Sequence, residues 1–333
     1  MKKVLLFLSL IAVLFVVAAC GADSDSDAAA NETEGQSGEE VESSEGATED
    51  EEQPAEVVVE HELGETKVKK NPETVVVFDF GVLDSLDKLG VAVAGVPQAS
   101  VPSYLSKYEA EEYKNVGSLK EPDFETIYGL KPDLIIISGR QASLYEEFKE
   151  IAPTIFMGVD TSNYMDSFKN NVTLLGEIFG KEDEVKEELE AVEETIQSIR
   201  NLAAAEDIKG LVVLTTGGKV SAYGPGSRFG IIHDEFGIAP VDESIDVSTH
   251  GMSVSFEYIL QQNPEYLFVI DRDAVVEEGA ETAKNVIEND LVKNTNAYKN
   301  GNIVYLDPNY WYLSGGGLVS VSEMANEIKA GLE

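Results

Sequence analysis

The chain has 333 residues and a formal charge of −38, from 62 acidic and 24 basic side chains. A chain of this length favours two domains. So acidic a protein is not expected to bind nucleic acid or an anionic membrane surface through its overall charge.

The N-terminal stretch is typical of an export signal. After the basic start Met1-Lys2-Lys3, an apolar run from Val4 to Ala19 is too short to span a bilayer comfortably. The run ends in Val17-Ala18-Ala19-Cys20, which resembles the lipobox of bacterial lipoproteins. We therefore predict a signal peptide at 1–19 and lipid modification of Cys20; a plain signal peptide is the alternative. Cys20 is the only cysteine, so the mature fold has no disulfide and no thiolate metal site.

An acidic segment follows the predicted lipid anchor. Between Gly21 and Glu56 there are many Asp and Glu residues, no Lys or Arg, and almost no large apolar side chain. Such a composition cannot bury enough surface to offset the entropy of ordering. We predict that residues 20–56 are a lipidated, disordered tether; an acidic interaction tail is the alternative.

Two stretches in the remaining chain form an internal repeat. The aligned pairs, without a gap, are Phe124 with Phe256, Glu125 with Glu257, Ile127 with Ile259, Pro132 with Pro264, and Arg140 with Arg272. Each copy predicts a short helix, a proline that ends it, and a continuous apolar strand buried on both faces of a parallel sheet. Each arginine then follows the C-terminal end of its strand, which is the sheet edge where ligands bind.

The predicted strands and helices alternate on both sides of one long helix, as expected for a parallel sheet in each half. In chain order they are a strand at 75–80, a helix at 82–89, a strand at 91–96, the first repeat copy, a helix at 142–151, a strand at 154–157, helices at 164–179 and 182–205, a strand at 211–215, loops at 221–230 and 248–251, the second repeat copy, a helix at 283–290, a strand at 303–306, a loop at 307–312 and a helix at 319–330.

These elements predict an α/β fold of two Rossmann-like lobes with mostly parallel central sheets, joined by one long helix. The predicted boundaries are an N-terminal lobe at 57–180, a connecting helix at 181–206 and a C-terminal lobe at 207–333. A single stiff helix between the lobes predicts slight rocking rather than wide closure.

Taken together, the signal, the lipobox, the tether, the two lobes and the repeated helix–strand element resemble the substrate-binding lipoproteins of ABC importers. The similarity is to the helical-backbone class, class III, which serves ferric siderophores and cobalamin. The stretches that resemble its catecholate-binding branch, which includes petrobactin binders, are Ser138-Gly139-Arg140-Gln141, Gly226-Ser227-Arg228-Phe229, Ser248-Thr249-His250-Gly251 and Leu306-Asp307-Pro308 with Trp311-Tyr312-Leu313. The resemblance implies capture of a ferric siderophore outside the cell membrane and delivery to an ABC permease and its ATPase. It implies a monomer with no catalysis and no intrinsic cofactor.

The resemblance also implies that Arg140, Arg228 and Arg272 bind the ligand. A ferric tris-catecholate carries three negative charges, and its oxygens accept charge-assisted hydrogen bonds from guanidinium groups. Its aromatic rings can lie against arginine planes and aromatic side chains. A surface or salt-bridged position is the alternative for any one arginine. Trp311, the only tryptophan, is a further predicted ligand contact, with a packed loop anchor as the alternative.

Two further pairs of residues acquire roles from the resemblance. His250 and a tyrosine of the 310–312 loop complete the iron shell when a siderophore supplies only four donors; Tyr312 is preferred and Tyr310 stays open. A lone histidine is otherwise a loop or core residue. Glu125 and Glu257 are expected to dock one lobe each onto the permease, although a glutamate near a helix N-terminus needs no such role.

Other functions fit the sequence less well. The chain has no Gly-x-Ser-x-Gly stretch, no Walker A loop and no cysteine nucleophile apart from Cys20, which disfavours an α/β enzyme. A zinc or manganese receptor would call for more than three histidines in the chain. A cobalamin or haem receptor of the same fold is the main alternative, but it would not require three arginines. An adhesin or purely structural surface protein is the last alternative.

Overall fold

The fold is taken from a computed structural model, which describes residues 55–277 and 281–333. The predicted signal peptide, Cys20 and residues 20–54 of the predicted tether lie outside the described residues. Within the described ranges, no helix is both long and apolar enough to cross a membrane.

The first lobe starts with an antiparallel hairpin that the sequence analysis did not predict. Its strands are β1 (Glu56–His61) and β2 (Gly64–Lys69). Val57, Val59, Thr66 and Val68 are buried, whereas Val58 and Lys67, which alternate with them, are exposed. This alternation lets one face of the hairpin pack on the core while the other faces solvent.

Five parallel strands form the sheet of the first lobe, in the order β5-β4-β3-β6-β7. They are β3 (Val75–Val77), β4 (Gly95–Val96), β5 (Lys114–Asn115), β6 (Leu134–Ile137) and β7 (Thr154–Phe156). The two central strands, β3 and β6, are buried along their whole length. Burial on both faces explains why they are continuous apolar runs in the sequence.

Four helices flank this sheet: α1 (Phe80–Lys88), α2 (Phe124–Leu130), α3 (Tyr145–Lys149) and α4 (Tyr164–Phe179). The Asp79 carboxylate caps α1 by accepting hydrogen bonds from the backbone N–H groups of Gly81 and Val82, at 2.9 and 3.0 Å. Gly180, in the left-handed conformation, ends α4 as predicted. The predicted helix at 142–151 is shorter, because Ala142–Leu144 forms a 3₁₀ turn.

The long connecting helix is α5 (Glu182–Glu206). Its buried residues Val185, Val192, Ile196, Ile199 and Ala203 form one apolar stripe. Acidic side chains occupy its first turn, where the helix dipole favours negative charge. The predicted connecting helix is therefore present with nearly the expected ends.

The second lobe has a mixed sheet in the order β11-β9-β8-β12-β13, with β10 paired beside β8. The strands are β8 (Lys209–Thr216), β9 (Lys219–Tyr223), β10 (Ala239–Pro240), β11 (Met252–Val254), β12 (Tyr266–Asp271) and β13 (Ile303–Leu306). The pairings of β8 with β10 and β12, and of β12 with β13, are parallel. The α/β fold class with mostly parallel sheets and a long helix is thus confirmed.

The prediction of a loop at 221–230 is wrong for its first three residues. Residues 221–223 belong to β9, which pairs antiparallel with β8 and with β11. Gly217 and Gly218, at φ of 55° and 71°, form the two-residue turn between β8 and β9. Two successive residues with positive φ are what a tight hairpin needs, and glycine adopts them at little cost. Residues 224–230 do form a loop.

The second lobe also has six helices in the described residues: α6 (Ile231–Asp234), α7 (Phe256–Gln262), α8 (Asp273–Val276), α9 (Ala283–Ile287), α10 (Asn296–Asn300) and α11 (Leu318–Leu332). The segment predicted as a loop at 307–312 contains a wide helical turn, Asn309–Leu313. We call this segment the 309–313 turn.

The two copies of the internal repeat adopt the same conformation. Asp123 caps α2 and Ser255 caps α7, each through a side-chain oxygen that accepts from a backbone N–H group. Both helices end at a left-handed residue, Lys131 or Asn263, directly before the aligned proline. The strands that follow, β6 and β12, lie inside their sheets, and Arg140 and Arg272 come after their C-terminal ends.

The lobes also touch through the last helix of the chain. Helix α11 packs against both α5 and α1, and one continuous apolar core contains residues of all three. The second lobe is therefore seated on the first by α11, in addition to the covalent link through α5. This contact lies next to the 309–313 turn, which α11 also packs against.

Candidate ligand-binding cleft

Three of the four arginines in the chain were predicted to bind ligand, and the structure places each at a sheet edge or an adjoining loop. Arg140 is exposed three residues beyond β6. Arg272 is partly buried directly after β12, and Arg228 is partly buried in the loop between β9 and α6. The fourth, Arg200, lies on α5 and forms an ion pair with Glu235 at 2.6 Å.

Arg228 and Arg272 are brought together by one side chain, Tyr312 of the 309–313 turn. The guanidinium carbon of Arg228 lies 4.3 Å from the centroid of the Tyr312 ring, and that of Arg272 lies 5.6 Å away. Arg228 Nη2 donates to the Tyr312 backbone carbonyl at 2.7 Å, and Arg272 Nε donates to the Tyr312 hydroxyl at 2.9 Å. Tyr312 is thus held by two cations through its ring, its hydroxyl and its backbone.

The two cations change the acidity of the phenol. Burial raises the pKa of Tyr312, but the hydrogen bond from Arg272 and the charges of Arg228 and Arg272 outweigh burial and hold this pKa below its ordinary value. The pKa of Tyr310, which belongs to the same turn, is shifted in the opposite direction. Burial, together with Glu323 and other nearby carboxylates, raises the pKa of Tyr310. Of the two phenols in this turn, that of Tyr312 is therefore the more acidic.

Arg228 carries a positive charge that no described acidic residue neutralises by a salt bridge. Burial lowers the pKa of Arg228, and the nearby charge of Arg140 lowers it further. Arg140 therefore lies close enough to Arg228 for the two like charges to repel across the lobes. An anionic ligand between them would relieve this repulsion.

Arg272 is held more firmly than Arg228. Its Nη1 donates to Thr216 Oγ1 at 3.1 Å and to Asp273 Oδ1 at 3.2 Å. The Asp273 carboxylate is buried and also accepts from the Thr216 hydroxyl and the Gly217 backbone N–H group. Burial lowers the pKa of Arg272, but Tyr312 and Asp273 together raise it above its ordinary value. This arginine is partly neutralised, so it offers less free charge than Arg228.

One aromatic side chain of the first lobe, Tyr104, lies against the 309–313 turn. Tyr104, in the 3₁₀ helix Ser103–Glu109 after β4, lies with its ring 4.8 Å from that of Tyr310. Beside it, the Ser103 backbone N–H group donates to Asn309 Oδ1 at 2.9 Å. The sequence analysis gave Tyr104 no role. The structure places it against the turn that carries Tyr312.

Trp311 does not have the position predicted for a ligand contact. Its side chain is 2% exposed, and its indole N–H donates to Glu327 Oε2 at 2.7 Å. A buried indole with a satisfied N–H group anchors the turn to α11 and offers no surface to a ligand. The structure therefore favours the alternative of a packed loop anchor.

His250 lies at an exposed position in the loop before β11. Its backbone N–H donates to Ser248 Oγ at 3.1 Å, and no hydrogen bond joins it to Tyr312 in the part of the chain that the structure describes. Across 55–277 and 281–333, no group of three or more His, Cys, Asp or Glu side chains could hold a metal ion. The described protein residues of these four types thus form no metal site by themselves.

Glu125 and Glu257 occupy equivalent positions in the first turns of α2 and α7. Both are exposed, and neither forms a salt bridge with a described residue. Tyr128, one helical turn after Glu125, is 70% exposed. Each lobe thus presents, at the start of a repeat helix, an exposed carboxylate that forms no salt bridge with a described residue.

A separate cavity of about 920 Å³ lies beside the turn after β7 and the His250 loop. Its lining includes Glu60, Glu62, Asp160, Asn171 and Thr249, and none of the three predicted ligand arginines. Its carboxylates make it unsuited to an anionic ligand. The cluster of Arg140, Arg228, Arg272 and Tyr312 is therefore the better candidate for such a ligand, and we call this cluster the arginine cleft.

Comparison with known proteins assigns the class. The family model described as "Periplasmic binding protein" matches residues 75–310, and the chain belongs to this family. The petrobactin-binding protein YclQ of Bacillus subtilis (strain 168) is 51% identical over 338 residues, which span 100% of both chains. Its crystal structure has a TM-score of 0.82 at 54% identity, covering 84% of this chain and 99% of that chain.

Two other relatives are similar over most of their length. The ferric-anguibactin-binding protein FatB of Vibrio anguillarum (strain ATCC 68554 / 775) is 34% identical over 282 residues, 83% of this chain and 88% of FatB. The crystal structure of the periplasmic catecholate-siderophore binding protein VctP from Vibrio cholerae has a TM-score of 0.78 at 39% identity, covering 83% of this chain and 100% of that chain. The predicted resemblance is confirmed, and the family makes this chain a binding protein rather than an enzyme.

Proposed function

We propose that this protein binds a ferric siderophore of the catecholate type and delivers it to the permease of an ABC importer for iron uptake. The observation that carries the proposal is the arginine cleft, in which Arg228 and Arg272 both lie against Tyr312 and the charge of Arg140 is near enough to lower the pKa of Arg228. In a chain with a formal charge of −38, such a cluster of cations is a local exception. It is suited to an anion.

The chemistry of the cleft favours a catecholate over a neutral ligand. Arg228 and Arg140 lack a carboxylate partner among the described residues, so an anionic complex gains their full attraction without first breaking an ion pair. The face of Arg228 already lies on an aromatic ring, and a catechol ring can use the same kind of contact. Cyanocobalamin has no net charge and haem supplies only its two propionates, so neither matches three arginines as well as a ferric tris-catecholate with three negative charges.

The iron shell is completed by protein only when the siderophore leaves coordination positions open. For a tetradentate siderophore we propose that His250 and Tyr312 supply the remaining donors. The lowered pKa of Tyr312 supports the choice of this phenol, because a phenolate is the form that binds ferric iron. The raised pKa of Tyr310 argues against the other candidate.

Delivery to the transporter rests on features outside the cleft. We propose that Glu125 and Glu257 dock the two lobes onto the permease subunits, since both are exposed and free of salt bridges to described residues. We further propose a monomer anchored outside the cell membrane by a lipid on Cys20, with residues 20–56 as the tether. The lobes and connecting helix keep the proposed boundaries 57–180, 181–206 and 207–333.

A titration of intrinsic fluorescence tests the ligand class. Trp311 is the only tryptophan and its turn carries Tyr312, so a ligand bound at the cleft alters its emission. We expect saturable quenching with ferric petrobactin at far lower concentration than with a ferric hydroxamate or with cobalamin. Equal or tighter binding of cobalamin or haem would replace the siderophore proposal with the alternative.

A further inference from the structure

Asp84 is a fully buried carboxyl group where the two lobes meet. It lies on α1 with 0% of its side chain exposed, and the N-terminus of α11 is set against it. Asp84 Oδ2 accepts from the Ser320 backbone N–H at 2.9 Å, and Oδ1 accepts from that of Val319 at 3.2 Å. A Cβ atom at Gly317 would overlap Asp84, so only glycine allows this approach.

Three short oxygen–oxygen contacts lead from Asp84 to the 309–313 turn. The Tyr104 hydroxyl lies 2.9 Å from Asp84 Oδ2 and 2.6 Å from Ser314 Oγ. Ser314 Oγ in turn lies 2.6 Å from the backbone carbonyl oxygen of Asn309. Asn309 begins the turn and Ser314 directly follows it. The chain of contacts therefore runs from the first lobe across to both ends of the turn.

These three contacts need three hydrogen atoms, but the two hydroxyl groups supply only two. The Asn309 carbonyl can only accept, so Ser314 donates to it, and Tyr104 must then donate to Ser314. The contact between Tyr104 and Asp84 is then a hydrogen bond only if the carboxyl group is the donor. An ionised Asp84 would leave one short contact without a hydrogen atom, which is costly for buried polar atoms.

We propose that Asp84 is held as the neutral acid and that its proton completes this chain, which makes Asp84 a positioning residue for the arginine cleft. The turn that the chain fixes presents Tyr312, and Arg228 donates to the backbone of Tyr312 while Arg272 donates to its hydroxyl. Loss of the Asp84 proton frees the turn and weakens ligand binding. The inference deepens the proposed function and rests on it, because the cleft is the proposed ligand site.

The surroundings of Asp84 are consistent with a proton at neutral pH. Burial raises the pKa of Asp84 to about 7, against the opposing effect of hydrogen bonds from Ser320 and from the Val319 backbone N–H group. The positive end of the α11 dipole favours the carboxylate, so burial and the hydrogen-bond chain must outweigh it. The titratable or charged groups that face this region are Tyr104 from the 3₁₀ helix after β4, Tyr310 from the turn, Tyr164 from α4, Glu323 from α11, and Asp79 and Arg228 beyond Tyr164.

The first test measures the Kd of ferric petrobactin from about pH 6 to about pH 9 for the wild type, Asp84→Asn and Tyr104→Phe. The asparagine amide keeps an N–H group for Tyr104 at every pH, so this variant should lack the step near the Asp84 pKa. Relative to it, the wild type should lose about fivefold in affinity above the step, the value of one neutral hydrogen bond. Tyr104→Phe breaks the chain and should bind about fivefold more weakly at every pH, also without a step.

Asp133→Asn is the matched control. The Asp133 carboxylate accepts from the backbone N–H groups of Glu73 and Thr74, at the edge where β3 and β6 begin. It carries the same chemical change at the opposite end of the sheet from the cleft. The siderophore ionises in the same way in every measurement. The ratio of the variant Kd to the wild-type Kd at each pH therefore reports only the effect of the protein's own groups. Asp133→Asn should keep the wild-type profile.

A second measurement uses the ligand-free protein. The emission of Trp311 should shift near the Asp84 pKa in the wild type, and infrared difference spectra should show a carboxylic-acid band that titrates with it; both should vanish in Asp84→Asn. A shift and a band that persist in Asp84→Asn belong to another group, such as Glu327 against Trp311, and overturn the inference. A ratio of the wild-type Kd to the Asp84→Asn Kd that stays constant across the pH range also overturns the inference. If the wild type binds no ferric catecholate, ferric petrobactin included, the proposed function falls, while this measurement still decides the state of Asp84.

Discussion

Arg228 holds Tyr312 in two ways at once. Its guanidinium carbon lies 4.3 Å from the ring centroid, and its Nη2 donates to the backbone carbonyl of the same residue at 2.7 Å. Because the ring covers one face of the guanidinium group, the remaining N–H groups and the charge are left for a ligand. The two residues together form the centre of the arginine cleft.

Arg228→Ala should therefore weaken binding of a ferric catecholate by about 1.5–3 kcal/mol, the range for a lost hydrogen bond to a charged group. Titration of Trp311 fluorescence measures the change, and circular dichroism checks the fold. Arg200→Ala is the matched control, because Arg200 lies on α5 and pairs with Glu235. Equal losses in the two variants would place the ligand elsewhere, and an equal loss for a ferric hydroxamate would contradict the preference for a catecholate.

Local signals predicted most of the fold. The predicted ends of α4 and α5 lie within one residue of the observed ones, because Gly180 and the spacing of buried valines and isoleucines specify them locally. The hairpin β1–β2 was missed because Val57-Val58-Val59 hides its alternation. The strand β9 was missed because the glycines that follow it made the whole stretch look like a loop.

The site was predictable only where the repeat or a resemblance marked it. The repeat placed Arg140 and Arg272 at equivalent strand ends. Nothing in the sequence marked Asp84 or Tyr104, since Ser320, a partner of Asp84, and Ser314, a partner of Tyr104, lie more than 200 positions further along the chain. A polar residue on a short helix is usually solvent-facing. Only the packing of α11 on α1 makes Asp84 a buried residue.

The proposed protein ligands to iron predict a contrast between siderophores. With a tetradentate ferric siderophore, Tyr312→Phe should abolish the phenolate-to-iron absorption band, and His250→Ala should weaken binding. With a hexadentate complex the His250 change should have little effect, because no coordination position is open. Tyr310→Phe serves as the control in the same turn. Loss of the band in Tyr310→Phe but not in Tyr312→Phe would reverse the assignment.

The predicted anchor can be tested in cells. Cys20→Ser removes the only thiol in the chain, so the protein should lose its lipid and leave the membrane fraction. Fractionation and labelling with a fatty-acid analogue measure both effects. The purified variant should bind ferric petrobactin as the wild type does. A variant that stays fully membrane-bound would contradict the lipobox interpretation.

Substitution of Glu125 and Glu257 should impair docking to the permease without affecting ligand binding. Glu125→Ala with Glu257→Ala should leave siderophore affinity unchanged, because both residues start helices rather than follow strand ends. Uptake of labelled iron should fall, since exposed complementary charges govern recognition and association rate. Each exposed pair is worth little alone, so the double change should exceed either single one. Lower affinity with normal uptake of bound cargo would mean that these residues face the cleft.

The raised pKa of Asp84 also predicts how the stability of the fold depends on pH. The pKa rises from 3.8 to about 7 because burial penalises the charged form, so the folded state holds this proton more tightly than the unfolded chain does. The contribution is fully present below the unfolded pKa and is lost as the pH rises through about 7. The free energy of unfolding of the wild type, minus that of Asp84→Asn, should therefore decrease over this window, by at most about 1.4 kcal/mol per pH unit. Urea unfolding of both proteins at several pH values measures this difference, and Asp133→Asn again serves as the control. A difference that grows with pH would show that Asp84 is charged in the folded protein, bound to the α11 N-terminus as a carboxylate.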